Sequence, residues 1–229
     1  MFFKSVPIFS GLTEADHNLL AQMSQRRSHP RHALIVQDGE PGERLYLLIK
    51  GRAKVYISSP DGREVILAIF GPGDFFGEMA LIDDEPCSAN VMTLEVSEFV
   101  SIGKDAFQRV LVSSPCMVVN LLKAMSQRLR GADRQIESLV LKYVQARVAQ
   151  VLRQVAEHEG GNLVVPLHLT HRNIAAMAGS SREVVTRAVH ALEDSGVLRV
   201  DGRRIIITPT ATRGSNISRR IGDPCHAKR

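Results

Sequence analysis

Short apolar stretches separated by turn-forming residues characterise the chain between residues 30 and 103. Glycine, proline and aspartate punctuate this region, and Asp61-Gly62 lies between two apolar stretches as a typical hairpin turn. Regular short strands at such spacing predict a β-sandwich, roll or barrel. The predicted strands cover residues 34–36, 45–49, 54–57, 65–70 and 99–102.

A different periodicity begins near residue 114, where Ser114 can cap a helix that has Pro115 in its first position. Apolar residues then recur at alternating steps of four and three, the a/d spacing of a coiled coil. A helix packed on its own β-domain would also bury one apolar stripe. The strict heptad spacing favours a two-stranded coiled coil, and therefore a homodimer. The predicted dimer interface comprises Val118, Leu122, Met125, Leu129, Ala132, Ile136 and Leu139.

The remaining segment begins with a predicted helix over residues 142–159, which ends at Gly160-Gly161. Residues 163–165 are apolar and predict a strand. The segment after Pro209 is rich in serine, arginine, glycine and asparagine, so we expect a disordered tail.

Between these parts the sequence predicts two short helices and a hairpin. Thr170 can cap the first helix, Gly179 supplies a turn, and Ser180 or Ser181 can cap the second helix, which runs to about residue 194. A hairpin with its turn at Asp201-Gly202 follows. This order of helix, glycine-containing turn, helix and hairpin is that of a winged helix-turn-helix.

The net charge of +5 is unevenly distributed. Residues 161–229 contain 11 Lys and Arg against 5 Asp and Glu, whereas the rest of the chain contains 18 against 19. The whole positive excess therefore lies in the last third, which favours a polyanionic partner such as double-stranded DNA for that part.

Composition excludes several other classes of protein. The three cysteines, Cys87, Cys116 and Cys225, are far apart and form no CxxC pair, so neither a metal site nor a disulfide framework is predicted. No apolar run approaches the roughly 18 residues that a membrane span needs, and the first residues do not resemble a secretory signal. We therefore expect a cytoplasmic protein that does not bind membranes.

The second short helix carries three charged residues within its first two turns: Arg182, Glu183 and Arg187. A recognition helix presents its N-terminal side chains to base edges in the major groove, where arginine binds guanine and glutamate accepts from cytosine. Thr170, Ser180 and Ser181 lie at helix N-termini, where phosphate oxygens bind. Arg182 and Glu183 could instead form an exposed ion pair. The helix-turn-helix context favours DNA binding.

Two motifs resemble the catabolite activator/FNR (CRP/FNR) family. Residues 169–194, with Gly179-Ser180-Ser181-Arg182-Glu183 at their centre, resemble the DNA-binding motif of that family, and residues 71–81 resemble its cyclic-nucleotide-binding cassette. The resemblance implies an α+β chain with an N-terminal β-roll, a long dimerisation helix and a C-terminal winged helix-turn-helix. It also implies a homodimer on a palindromic operator, in which Arg182, Glu183 and Arg187 contact a TGTGA-like half-site.

The resemblance also implies an effector site at Gly77, Glu78 and Met79, in which Glu78 binds a ribose hydroxyl. The family has an arginine for the cyclic phosphate where this chain has Cys87, although Ser88 matches the neighbouring family residue. A neutral thiol cannot make the charge-assisted contact of a guanidinium. Ordinary cyclic AMP binding is therefore not expected to be strong.

The dimerisation helix completes the implied site. Arg128 matches the family arginine that pairs with the ribose-binding glutamate, whereas Ala132 and Asp133 replace the hydroxyl residues that contact the base. Asp133 could accept a hydrogen bond from a purine amino group or repel an anionic ligand. The possible effectors are a cyclic nucleotide such as cyclic AMP or, as for some family members, cyclic di-GMP.

The sequence thus predicts four parts: an effector domain over residues 1–113, a dimerisation helix over 114–141, a winged helix-turn-helix over 142–210 and a tail over 211–229. No catalytic constellation is present, so an enzyme regulated by a cyclic nucleotide is not favoured. A DNA-binding protein with a vestigial pocket, either constitutive or redox-responsive through Cys87, is the alternative. RNA polymerase is a further candidate partner.

Overall fold

The computed structural model describes Phe3 and residues 6–166, 169–202 and 204–208. The chain divides into two compact units, Met1–Glu137 and Ser138–Arg229, and the division falls inside one long helix, Pro115–Leu141. The predicted tail over residues 211–229 lies outside the described residues.

The first unit is built from short helices and antiparallel strands. Its strands are β1 (Ser24–His29), β2 (Leu34–Val36), β3 (Arg44–Lys50), β4 (Ala53–Ser58), β5 (Glu64–Phe70), β6 (Phe75–Phe76), β7 (Asn90–Thr93) and β8 (Ser97–Gly103). Its helices are a 3-10 turn at Pro7–Phe9, then α1 (Glu14–Gln22), α2 (Glu78–Asp83), α3 (Lys104–Ser113) and most of α4 (Pro115–Leu141).

Two four-stranded antiparallel sheets form the β-roll, in the orders β1-β8-β3-β6 and β2-β7-β4-β5. The hairpin predicted at Asp61-Gly62 is confirmed: β4 pairs with β5, and the Gly62 amide donates to the Ser59 carbonyl oxygen at 2.9 Å. Leu45, Leu47 and Phe107 are fully buried in the core that the first sheet shares with the helices.

Strand β1 is absent from the sequence prediction. Its six residues are all polar and mostly exposed, so it has no apolar alternation to detect. Its backbone pairs with β8 along its whole length, from Ser24 opposite Ile102 to His29 opposite Ser97. Main-chain hydrogen bonds at a sheet edge therefore define this strand without help from side-chain burial.

Helix α4 is apolar on two faces. Met117 and Leu121 are buried against the core of the first unit, and Met125 is half-buried beside them. Most of the heptad residues instead face solvent in the single chain, with Leu129 64% and Ile136 60% exposed. The helix therefore packs on its own β-domain, as the alternative interpretation required, and still leaves most of the predicted seam uncovered.

The second unit has the winged helix-turn-helix architecture that the sequence predicts. It contains α5 (Val144–Val155), β9 (Glu157–Glu159), β10 (Asn162–Val165), α6 (His171–Ala178), α7 (Arg182–Asp194), β11 (Leu198–Asp201) and β12 (Arg204–Ile207). The strands form one antiparallel sheet in the order β11-β12-β10-β9. Ile174, Val185 and Val148 are fully buried in this unit, one from each of its helices.

The predicted helix over residues 142–159 is wrong at its C-terminal end. Helix α5 stops at Val155, and Glu157–Glu159 form strand β9 instead. Asn162 pairs with Glu159, so Gly160-Gly161 forms a two-residue hairpin turn, and both glycines have positive φ angles, 56° and 81°. Such a turn favours glycine and starts a hairpin, which removes the preceding residues from the helix.

The described helices do not have the features of membrane spans. None of them combines the length and the apolar character that a span requires.

Candidate effector pocket and nucleic-acid interface

A tight turn at Gly77 shapes the candidate effector site. Gly77 joins β6 to α2 with φ 86° and ψ 1°, a left-handed conformation that favours glycine. A Cβ atom at this position would lie 2.5 Å from the Arg44 carbonyl oxygen. The backbone therefore approaches β3 more closely than any side chain would allow, and Glu78 follows at the first position of α2.

Glu78 and Arg128 form an ion pair at the candidate effector site, in which the carboxylate is buried and the guanidinium is half-buried. Glu78 is 2% exposed, and Arg128 Nη1 donates to its Oε1 at 2.5 Å. Arg128 Nη2 donates to the Phe75 carbonyl oxygen, and the guanidinium lies over the Phe75 ring, 4.5 Å from its centroid. The arginine of α4 thus closes over the strand that leads into Gly77.

The second carboxylate oxygen of this pair is unsatisfied. Glu78 Oε2 has no hydrogen-bond partner among the described residues. Burial raises the pKa of the Glu78 carboxyl, and the Arg128 guanidinium offsets only part of that rise. A buried acceptor without a donor is costly, so this oxygen is suited to accept from a ligand hydroxyl.

Cys87 lies in an environment that does not attract anions. The thiol is half-buried, its backbone amide donates to the Glu40 carbonyl oxygen at 2.9 Å, and its carbonyl accepts from Gly39 at 2.8 Å. Burial raises the pKa of the Cys87 thiol, and the Asp38 and Glu40 carboxylates raise it further. A reactive thiolate requires the opposite shift, so these surroundings do not support the redox alternative.

The other predicted effector residues are exposed in the single chain. Met79 is 45% exposed, Ser88 is exposed, and Ala132 and Asp133 lie on solvent-facing surface of α4 one turn beyond Arg128. The structure therefore brings together Gly77, the carboxylate that follows it and the helix arginine, but does not enclose the residues expected to contact a base.

In the second unit, two capped helices frame the helix-turn-helix. Thr170 Oγ1 accepts from the Asn173 amide at 3.2 Å, and the Thr170 amide donates to Asn173 Oδ1 at 3.0 Å, which completes a capping box at the start of α6. Asn173 was not predicted from the sequence, because the usual signal of such a box is glutamate or glutamine at this position. Ser181 caps α7 by accepting from the Val184 amide at 3.3 Å.

The first two turns of α7 present charge on one side and bury apolar residues on the other. Arg182, Glu183 and Arg187 are exposed, whereas Val185, Ala188, Val189 and Leu192 are buried. Backbone and Ser181 hydrogen bonds lower the pKa of the Glu183 carboxyl, with smaller help from the two arginines. A charged, outward-facing helix start is the geometry that base recognition requires.

The hydroxyls predicted to bind phosphate have local partners. Those of Thr170 and Ser181 act as helix caps, and Ser180 is half-buried in the turn between the helices. His171, at the first position of α6, has Nδ1 3.2 Å from Thr186 Oγ1. Burial lowers the pKa of His171, and the nearby Arg182 and His190 lower it further. Within the described ranges, no cluster of three or more His, Cys, Asp or Glu side chains is arranged to hold a metal ion.

Comparison with known proteins agrees with this architecture. The cyclic nucleotide-binding domain family matches residues 26–114, and the Crp-like helix-turn-helix domain matches residues 146–211. The chain is 34% identical over 205 residues to a CRP-like cAMP-activated global transcriptional regulator of Mycobacterium tuberculosis. The matched region covers 88% of this chain and 92% of that protein. It is 33% identical over 197 residues to the cyclic AMP receptor protein of Thermus thermophilus, over 86% of this chain and 90% of that protein.

Among solved structures, the c-di-GMP responsive global regulator CLP of Xanthomonas campestris has the same fold. The TM-score is 0.73 at 23% identity, over 85% of this chain and 99% of that chain. A β-roll with a buried pocket carboxylate, followed along the chain by a winged helix-turn-helix, defines a DNA-binding transcription regulator with a cyclic-nucleotide-binding domain. The chain belongs to the CRP/FNR family of transcription regulators.

The close approach at Gly77 generates a stability prediction. Gly77→Ala should lower the free energy of unfolding of the first unit by about 2 kcal/mol or more, because a left-handed non-glycine residue costs on the order of 1–3 kcal/mol and the clash with Arg44 adds to it. Urea unfolding followed by circular dichroism measures the loss.

Gly73→Ala is the matched control, because Gly73 also has a positive φ of 94° but has no atom within 4 Å of its Cβ position. Gly73→Ala should lower the free energy of unfolding only by the cost of the strained backbone. Equal losses in the two variants would contradict the close approach at Gly77.

Proposed function

We propose that the chain is an effector-gated, sequence-specific transcription regulator that acts as a homodimer on a palindromic operator. One observation carries this proposal: a single helix, α4, contributes both the arginine that binds the pocket carboxylate and an exposed apolar stripe. A change in pocket occupancy therefore acts on the same element that would hold two chains together.

The exposed stripe supports dimerisation. Leu122, Leu129 and Ile136 are each about 60% exposed, at 58%, 64% and 60% respectively, on a helix whose opposite face is already buried. Monomers rarely leave a continuous apolar stripe in water. A second copy of α4 would cover it with the heptad packing that the sequence predicts. The proposed interface also includes Val118, Met125, Ala132 and Leu139.

The second unit supports sequence-specific DNA binding. The exposed charges at the start of α7 would contact base edges of a TGTGA-like half-site, while Thr170, Ser180 and Ser181 would lie near the phosphate backbone. A two-fold dimer presents two such helices about one helical turn of DNA apart, which accounts for a palindromic operator.

The effector we propose is a cyclic nucleotide or a cyclic dinucleotide. Glu78 Oε2 is free to accept from a ribose hydroxyl, and the Mycobacterium and Thermus relatives are named for cyclic AMP. The neutral Cys87 supplies no positive charge for the phosphate, so cyclic AMP should bind weakly. Cyclic di-GMP, for which the Xanthomonas regulator is named, is the second effector to test. A constitutive regulator with a vestigial pocket would bind neither ligand.

The cellular context completes the proposal. A DNA-binding regulator acts in the cytoplasm, and RNA polymerase is its natural protein partner there. Neither sequence-specific DNA binding nor recruitment of RNA polymerase requires a catalytic residue, so we propose no enzymatic activity.

Leu129→Lys should convert the dimer to monomers, because it places like charges opposite each other in the seam. Sedimentation velocity at micromolar concentration measures the change. Val112→Lys adds the same charge to a residue of α3 that is 88% exposed, and it should leave the dimer intact. A wild-type protein that is already monomeric at that concentration would contradict the proposed interface.

Arg187→Ala should flatten discrimination among single-base variants of the half-site, because losing a bidentate base contact costs roughly 1–3 kcal/mol, mainly on the correct base. The measurement is a binding titration over a panel of operators at fixed salt, since the electrostatic part of binding depends on salt.

Two controls separate base contacts from other effects. Arg199→Ala removes the same charge from exposed surface of β11 and should preserve the ranking of sites. Thr170→Ala should weaken all sequences alike and also lower stability by about 1 kcal/mol through loss of the cap. Full sequence preference in Arg187→Ala would show that α7 does not read bases through this residue.

Cys87→Arg should tighten binding of a cyclic mononucleotide at least about tenfold, since a charge-assisted phosphate contact contributes on the order of 1.5–3 kcal/mol. Calorimetry with cyclic AMP, cyclic GMP and cyclic di-GMP measures the affinities. Cys87→Met changes the side chain without adding charge and should have no such effect. Unchanged affinity in Cys87→Arg would contradict the assignment of this position to the phosphate.

A further inference from the structure

One arginine of the second unit binds the turn of the helix-turn-helix. Arg147, in the first turn of α5, donates from Nε to the Ala178 carbonyl oxygen at 2.9 Å and from Nη2 to the Gly179 carbonyl oxygen at 3.4 Å. These carbonyls end helix α6, where backbone acceptors lack intrahelical partners and the helix dipole favours a cation. The half-buried guanidinium satisfies both.

The same side chain also holds the segment that follows α4. Arg147 Nη1 donates to the Lys142 carbonyl oxygen at 2.9 Å. Gln150, one turn further along α5, accepts from Lys142 Nζ at 2.8 Å and from Ser138 Oγ at 3.2 Å. Within the second unit, Arg147 therefore holds the residue that follows α4, and Gln150 holds both that residue and Ser138 near the end of α4.

Packing at Gly179 brings these two segments together. A Cβ atom at Gly179 would lie 2.7 Å from Leu139 Cδ2, and Gly179 adopts φ 59° and ψ 50°. The last turn of α4 therefore lies directly on the turn that precedes α7. Only two residues separate Gly179 from Arg182, the first residue of the proposed base-reading helix.

We propose that Arg147 is a positioning residue for DNA recognition: it locks the helix-turn-helix turn against the end of α4 and so fixes the direction in which α7 presents its first turn. The proposal rests on the proposed DNA-binding function. Arginine is required, because its planar fork reaches carbonyls of two segments at once, whereas the single ammonium of lysine does not.

The test uses the full chain with Arg147→Met and Arg147→Lys, and with Arg134→Met as a control that removes the same charge from exposed surface of α4. Affinities for an operator duplex and for a scrambled duplex are measured over a range of salt concentrations. Arg147→Met should reduce the ratio of operator affinity to scrambled-duplex affinity at least about tenfold. The salt dependence of its binding should match that of Arg134→Met. Arg147→Lys should recover only part of the lost ratio. An unchanged ratio in the folded variant overturns the proposal.

An equal loss of affinity for both duplexes also overturns the proposal if the slope of log affinity against log salt concentration falls by about one. That result is the signature of a direct phosphate contact.

Amide hydrogen exchange without DNA supplies a second measurement. The amides of Gly179 and Ser180 both donate to the Ala175 carbonyl oxygen and should exchange faster in both Arg147 variants than in Arg134→Met. Unchanged exchange rates would contradict the proposed role of Arg147 in holding the turn. This result does not depend on DNA binding, so it can be distinguished from a wild-type protein that shows no preference for the operator.

Discussion

The structure depends on a helix that must bury two apolar faces. Met117 and Leu121 dock α4 on the β-roll of its own chain, and this packing places Arg128 over the pocket. The stripe through Leu129 and Ile136 then faces outward, and none of the residues that the structure describes covers it. Since burying apolar surface contributes about 25 cal/mol per Å², covering this stripe with a second copy of the helix, as we propose, would stabilise the folded chain further.

The pocket is governed by a balance between burial and charge. Desolvation of Glu78 raises its pKa against the pull of Arg128, so the site favours a ligand that donates a hydrogen bond to the free carboxylate oxygen. At Cys87, where we propose that a phosphate would bind, the nearby Asp38 and Glu40 carboxylates work against an anion. The proposed effector site therefore has a free acceptor for a sugar hydroxyl but no cation for a phosphate at Cys87.

The sequence predicted those features that depend on local patterns. The heptad spacing located α4, and Asp-Gly and glycine turns located the hairpins and the helix-turn-helix. Packing of α4 on its own β-domain was the alternative interpretation, but the residues of that inner face, such as Met117, were not identified because the heptad already accounted for the helix. Strand β1 has no apolar signal, and β9 was mistaken for helix because its pairing is set by Gly160-Gly161. Arg147 could not be singled out, since its partners near residues 142 and 178 meet only in the folded unit.

We propose that two chains joined through α4 recognise two inverted half-sites. The most direct test is sedimentation equilibrium of the wild-type chain with two duplexes of equal length. One duplex carries two inverted TGTGA-like half-sites about one helical turn apart, and the other carries a single half-site beside scrambled sequence. Two chains should bind the first duplex, with an affinity at least about tenfold higher than for the second duplex. One chain per duplex with equal affinity for both would contradict it.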